Sequence, residues 1–381
     1  MYVCLSPNGR SQSSSDEQAM TLMVGTVKGV YTLQRSSPTG RWEIAARALA
    51  DRHISSLLHE TVSDTIFAGA HNNGGLFASE DGGKTWEERT AGLSSQHVYS
   101  LAAQEREGGG VVLYAGTEPA ALHRSYDLGK TWHELSSLTD VPNTEKWTFP
   151  PPPHIAHVKN VIFDPRDASV IYAAVEQGAL LKTTDAGETW RELETYATPE
   201  DSQYKDIHRL AVHKATPETI FMSTGVGVYR TRDAGESWDR LTTESAPVGY
   251  PDPIFVDPSD PNTVFVAGGR TGPGGWRGGF SNATVLRSRD GGAHFDDVHN
   301  GLPDEVRGNF EAMSLHESPN GIELFIGTAS GEIYTSNDRG DSWQLTIKGL
   351  PAFSKSGHYR HFLPEEEKRT VEAAMQAQRR G

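Results

Sequence analysis

Four histidines of this chain stand at the head of short strand-like stretches: His53 in HISSLL, His97 in HVYSLA, His157 in HVKNVI and His358 in HYRHFL. Three more stretches align with them, DIHRLA from Asp206, DPIFVD from Asp252 and NFEAMS from Asn309. With 15 histidines in 381 residues, a seven-row column would hold about 0.3 by chance, so four mark a selected position. Two residues further along the rows stand Ser55, Tyr99, Lys159, His208, Glu311 and Arg360. Side chains two apart share one face of a strand, so this second column is polar and ionisable as well. Neutral imidazoles that converge on one point are a common means of holding a transition metal. On that reading His53, His97, His157, His208 and His358 offer three or four ligands to one divalent ion, with Zn, Mn, Fe, Cu and Ni not distinguished. A water-filled channel with hydrogen-bonded histidines is the plainer alternative, because no HExxH-like spacing accompanies the column.

The rows are brought into register by an internal repeat. Six octads share one pattern: SEDGGKTW from Ser79, SYDLGKTW from Ser125, TTDAGETW from Thr183, TRDAGESW from Thr231, SRDGGAHF from Ser288 and SNDRGDSW from Ser336. Their aspartates are 46, 58, 48, 57 and 48 residues apart, a spacing that suits one small sheet per repeat. A pair of strands with a short turn precedes each octad, and a strand opening with Trp or Phe closes it. The stretch LMVGTVKGVYTLQRSSPTGRWEIA has the same layout without the aspartate and counts as a seventh repeat.

The octads resemble the Asp-box, or BNR repeat, of sialidases, sortilin and photosystem assembly factors. That resemblance implies a β-propeller whose boxes lie on the face opposite the active site, and it says little about chemistry. The expected fold is all-β: a seven-bladed propeller of four-stranded antiparallel blades. In each box the Asp carboxylate can accept turn N–H groups, the Gly takes positive φ and the Trp fills space between sheets.

A ring of blades must close on itself to leave no open sheet edge. The stretch KGLPAFSKSGHYRHFLPE follows the last octad as an orphan strand, so residues 358–363 are expected to complete the first blade. The division is then a flexible leader over 1–19, the propeller over 20–363 and a helical or frayed tail over 364–381. The innermost strands surround the axis, so their first residues meet at one mouth of a central channel. Turns between second and third strands end on the same face and bring His71, Glu118, Glu176, Gln177, Arg270, Trp276 and Arg277. Two insertions overhang it, LTDVPNTEKWTFPPPPHIA with Trp147 and GGRTGPGGWRGGFSNA. Loops of this length in a compact domain serve as lids or binding loops. Tyr99, Lys159, Glu176 and Arg360 are the candidates for handling protons and charge. His71, Glu118, Trp147, Gln177, Arg270, Trp276, Arg277 and Glu311 are those for holding a substrate.

Bulk properties bound the function. The single cysteine excludes an intrachain disulfide framework, and no signal-like or membrane-spanning apolar run occurs. A cytoplasmic protein is expected. A net charge of -15 argues against nucleic acid as a partner. A small-molecule substrate is expected, with a protein partner on the scaffold reading. Three classes compete. One is a metal-dependent lyase, hydrolase or oxidoreductase acting on a small oxygenated or anionic molecule. Another is a non-catalytic assembly scaffold. The third is a sialidase-like glycosidase, which needs an arginine triad; only Arg270, Arg277 and Arg360 offer themselves, and the family's Arg-Ile-Pro segment is absent. A glycosidase working with Glu118 and Glu176 as paired carboxylates stays open.

Overall fold

The computed structural model describes all residues except 1, 72, 107–108, 150–152, 195–204, 244–245, 274–279, 307 and 354–381. It is a seven-bladed β-propeller, with no α-helix among the described residues and two short 3-10 turns at Ser136–Thr139 and Thr144–Lys146. Blades 2 to 6 are four-stranded antiparallel meanders over 54–88, 98–134, 158–192, 207–240 and 250–297. Blade 7 runs over 310–347 and blade 1 over 21–48, each with a contribution from the N-terminus.

The octads form the turns between third and fourth strands. In the first, Asp81 Oδ1 accepts the Thr85 N–H at 2.9 Å and Oδ2 the Thr85 hydroxyl at 2.6 Å. The same pair of bonds recurs at Asp127 with Thr131 and at Asp185 with Thr189. These bonds hold the exposed Asp81 carboxyl down at about 2. The fifth residue of each octad is glycine at positive φ, as at Gly83 and Gly235.

Seven apolar clusters fill the seven spaces between neighbouring blades. The octad tryptophans wedge into them. Trp132 packs with Phe67 and Leu76 between blades 2 and 3, and its indole N–H reaches Arg89 O at 2.9 Å. Closure of the ring is one such cluster: Val3, Leu5, Leu22 and Leu33 meet Phe325, Ile333 and Phe353 between blades 1 and 7. A buried ion pair crosses the same interface, Arg35 Nη2 to Glu323 Oε1 at 2.7 Å, and Glu323 Oε2 also accepts the Ala19 N–H at 3.1 Å.

The N-terminus corrects the expected closure. Tyr2–Leu5, not a C-terminal strand, holds the innermost place of blade 1, and it pairs parallel with Thr21–Thr26. Residues 358–363 and 364–381 lie outside the described residues. The expected leader is therefore structural. After Leu5 the chain runs inside the channel: Asn8 N–H donates to Ser55 O at 2.9 Å and Arg10 N–H to Leu57 O at 3.0 Å. Gln12–Ser14 then adds a parallel fifth strand to blade 7 at Leu315 to Glu317. A Cβ on Gly9 would fall 2.0 Å from Leu57 O, so the path along blade 2 admits glycine alone there. This path was hidden because a Ser-rich segment reads as a leader, yet Val3, Cys4 and Leu5 are buried in the core and Gln12–Ser14 is held by backbone pairing with blade 7.

One local feature of the inner strands aims residues at the axis. Pairing with the second strand slips between Ile54 and Ser56, Val98 and Ser100, Val158 and Asn160, Ile207 and Arg209, and Phe310 and Ala312. The residues in the slip are Ser55, Tyr99, Lys159, His208 and Glu311, the second column of the repeat alignment. A β-bulge re-aims its extra residue, which explains why this column carries chemistry. In blade 6 the slip lies between Pro251 and Ile254, so Asp252 belongs to the second column and Tyr250 heads the row. The alignment that put Asp252 at the head was two residues out.

Removing residues 2–14 takes an inner strand from blade 1 and an edge strand from blade 7; a thermal melt is expected to show a large loss of stability, and an unchanged Tm contradicts the closure. Glu323→Ala leaves the Arg35 charge buried without its partner and is expected to cost about 3–5 kcal/mol in denaturant unfolding. A change near zero would show that the pair does not hold the ring shut.

Candidate functional site

The channel mouth is built where the inner strands begin and the second strands end. Backbone bonds fix the two sets against each other: His71 N–H donates to His53 O at 2.9 Å, Glu118 N–H to His97 O at 3.0 Å and Glu176 N–H to His157 O at 3.1 Å. Each blade thus places one residue of its inner strand beside one residue of its 2–3 turn.

From these positions grows a chain of carboxylates and nitrogen bases. Glu118 Oε1 meets His71 Nε2 at 3.1 Å and its Oε2 meets His157 Nδ1 at 3.2 Å. His157 Nε2 reaches Glu176 Oε2 at 2.5 Å, so a carboxylate faces each ring nitrogen. Glu176 Oε1 accepts from Lys159 Nζ at 2.8 Å, and Lys159 reaches across to Asp252 Oδ2 at 3.2 Å. Tyr99 stacks on the His157 ring with centroids 3.4 Å apart, and Phe149 of the first insertion meets that ring edge-on at 4.6 Å.

The electrostatics follow from burial and partners. Burial alone would raise the Glu118 carboxyl, but hydrogen bonds from His157 and His71 outweigh it and hold it at about 2. Burial lowers the His71 imidazole in spite of Glu118, so it is neutral near pH 7. Its Nε2–H is then committed to Glu118, and the buried Nδ1 has no hydrogen-bond partner. Lys159 lies wholly out of water, which disfavours its charge, but Asp252 and Glu176 outweigh this and raise it. Burial drives Tyr99 and Tyr250 well above the ordinary phenol value, with Glu176 among the contributing charges.

A metal-capable group lies on the far side of Glu176. Ligand atoms of Glu176, Asp206 and His208 all fall within 4.8 Å of one another. His208 Nδ1 bonds to Pro251 O at 2.5 Å, and a carbonyl only accepts, so the proton is on Nδ1. Its Nε2, fully buried and without a hydrogen bond, faces Asp206 Oδ1 at 3.4 Å and Glu176 Oε1 at 3.8 Å. Burial and Lys159 oppose a positive charge on this ring, while Asp206 and Asp252 outweigh them and raise its affinity for a proton.

The histidine centre expected from the repeat is redrawn by this geometry. Among the described residues no three of those imidazoles bring nitrogen atoms together as one ion requires. His157 spends both nitrogens on carboxylates, and the exposed His97 turns its Nδ1 to His71 O. His53 packs edge-on against His71, with centroids 6.0 Å apart. The ring of blades spreads the first-column histidines around the axis, and among the described residues the one metal-capable group comes from blades 4 and 5. Glu311 is buried at the blade 7 bulge, and Arg270 is exposed beyond blade 6. Trp147 covers the Gln177–Gly178 turn, with Gly178 packed against its indole, and Gln177 O accepts the Thr148 N–H at 3.2 Å. Trp276, Arg277, His358 and Arg360 lie outside the described residues. The sequence reading missed Asp206, Asp252 and Tyr250; Asp206 did head its row, but as an acid among histidines it was passed over.

No family model matches the chain. A xyloglucanase of Paenibacillus sp is 25% identical over 219 residues, which is 51% of this chain and 21% of that protein. Among solved structures, an ancestral GH74 enzyme superposes with a TM-score of 0.55 at 16% identity, covering 74% of this chain and 36% of that one. YCF48 from Cyanidioschyzon merolae gives 0.51 at 14% identity, covering 86% and 96%. The chain thus spans about a fifth of the xyloglucanase and about a third of the GH74 enzyme. At these identities the structural likeness is one of fold, the β-propeller. No helix among the described residues is long and apolar enough to cross a membrane.

Glu118 supplies a test of the network. A carboxyl held at about 2 in the fold and near 4.5 when free contributes stability above pH 4.5, which is lost as pH falls toward 2. Glu118→Gln is therefore expected to cost about 3 kcal/mol at pH 7, and the gap to the wild type should narrow as pH drops from 5 to 2.5. A gap independent of pH in urea unfolding would contradict the ionised role.

Proposed function

We propose that the chain is a metal-dependent enzyme whose active centre is the channel mouth, acting on a small oxygenated or anionic molecule by hydrolysis or elimination. The observation that carries this reading is the His208 imidazole. Its Nδ1–H is tied to a backbone carbonyl, and its Nε2 faces two carboxylates at 3.4 and 3.8 Å, the arrangement of a ligating histidine once an ion displaces the Nε2 proton that those carboxylates favour. Glu176, Asp206 and His208 are the ligands in this reading. Glu176 Oε1 has a second lone pair beside the one that Lys159 uses, so it can serve both. Two carboxylates and one imidazole favour Zn, Mn or Fe over the nitrogen-rich sites of Cu and Ni. The ion would polarise a substrate oxygen or lower the pKa of bound water.

The other residues take roles set by their charge. His71, neutral and oriented by Glu118, has the lone pair on Nδ1 that a general base needs. Lys159 keeps its proton and serves as a fixed positive charge for a developing anion, not as a base. Tyr99, with its pKa raised, acts only as a donor. The first insertion shields His157 from water through Phe149.

The xyloglucanase match favours a second reading, glycoside hydrolysis with Glu118 and Glu176 as the carboxylate pair. Glu118 is suited only to the ionised role. The acid would then fall to Glu176, whose contacts with Lys159 and His157 both favour its anion. A sialidase-like triad finds Arg270 exposed and Arg277 and Arg360 outside the described residues.

Elemental analysis of the purified full chain, dialysed against Zn or Mn, is expected to find about one ion per chain. Asp206→Asn and His208→Ala should lose it, while His97→Ala should keep it. A wild type that cannot be loaded overturns the proposal, and loss of the ion in His97→Ala with retention in His208→Ala would restore the histidine centre.

A further inference from the structure

Below the mouth the channel is only half filled. Residues 8–15 hydrogen-bond to blades 2, 3, 6 and 7, and between residues 9–12 and the inner strands of blades 3 to 6 a cavity of about 280 Å³ opens. That is room for about nine water molecules, or one small organic molecule, at ~30 Å³ per water. Its walls are the inner strands one to four residues beyond the bulges, with Leu101, Phe163, Ile254 and Phe255 as apolar surface.

The polar groups on these walls have one sign. Arg209 and Arg10 both line the cavity, and no Asp or Glu does, in a chain of net charge -15. Arg209 follows the blade 5 bulge directly, only 3% exposed, and its Nε and Nη2 have no hydrogen-bond partner. Burial lowers its pKa, and Asp252 is the opposing charge that acts on it. Arg10 stands at the exposed rim and donates only to Gln12 O, at 3.1 Å. A guanidinium keeps its charge in proteins, so one buried without an acceptor needs an anion or water to complete it.

We propose that this cavity is a second ligand site, for a small organic anion: a carboxylate or comparable oxyanion on a short apolar body, anchored by Arg209. A planar guanidinium can hold two oxygens of such a group at once. Arg10 guards the entrance at the face opposite the mouth, and the apolar walls take the body of the ligand. The site shares no residue with the proposed metal group and does not depend on it.

Thermal melts of the full chain, titrated with sodium acetate, sodium benzoate or inorganic phosphate at constant ionic strength, test the proposal. A saturable rise in Tm is expected for at least one probe; benzoate over acetate would show use of the apolar walls, and phosphate alone would name an inorganic oxyanion. Arg209→Lys keeps the charge without the planar guanidinium and is expected to weaken binding about tenfold, as is Arg10→Ser at the rim. Asp206→Asn should bind as the wild type does, which separates this site from the metal centre. No saturable shift with any probe, or equal shifts in the wild type, Arg209→Lys and Arg10→Ser, would overturn the site.

Discussion

An ammonium group sealed away from water is the constraint on which the mouth depends. Lys159 can stay charged there only with carboxylates around it, and it takes them from two places, Glu176 in its own blade and Asp252 two blades on. That reach spans the channel across blade 5. With Glu176 fixed by the lysine, its other oxygen sets His157, His157 sets Glu118, and Glu118 sets the tautomer of His71. His208 and Asp206 lie beside the same carboxylate on its other flank. A breach in the chain therefore leaves a buried charge or donor unmatched, which is why so polar a cluster can be rigid.

The scaffold was largely legible because it is repetitive. The octads mark where third strands end, so strand order and the seven blades can be counted from them, and the bulge column was visible as a run of polar residues at an apolar strand's second position. Register failed where the repeat is least regular. In blade 6 Pro251 and Pro253 flank Asp252, where the other rows carry no proline, and the row was placed two residues late. Closure failed for another reason: Tyr2–Leu5 and Gln12–Ser14 are short, one of them Ser-rich, and their fit depends on partners some 20 and 300 residues away. No local pattern carries such information.

Chemistry was legible as a place and not as a set of ligands. A column in an alignment says that residues are equivalent in their blades, and equivalence alone does not bring their ligand atoms together. His53, His97 and His157 occupy like positions and so point inward from different directions, whereas a ligand set needs unlike positions in neighbouring blades. Glu176 comes from a turn, Asp206 from the head of a strand and His208 from a bulge. The useful signal was the coincidence of acids with histidines in adjacent rows. Counting histidines alone obscured it.

In the proposed function Glu176, Asp206 and His208 hold a metal ion. Crystals of the full chain grown with Mn or Zn, and measured at the absorption edge of that metal, test it directly. One strong anomalous peak is expected at about 2 Å from His208 Nε2, with Asp206 and Glu176 oxygens around it. No peak there, with Lys159 and Glu176 still paired at full metal concentration, would contradict it.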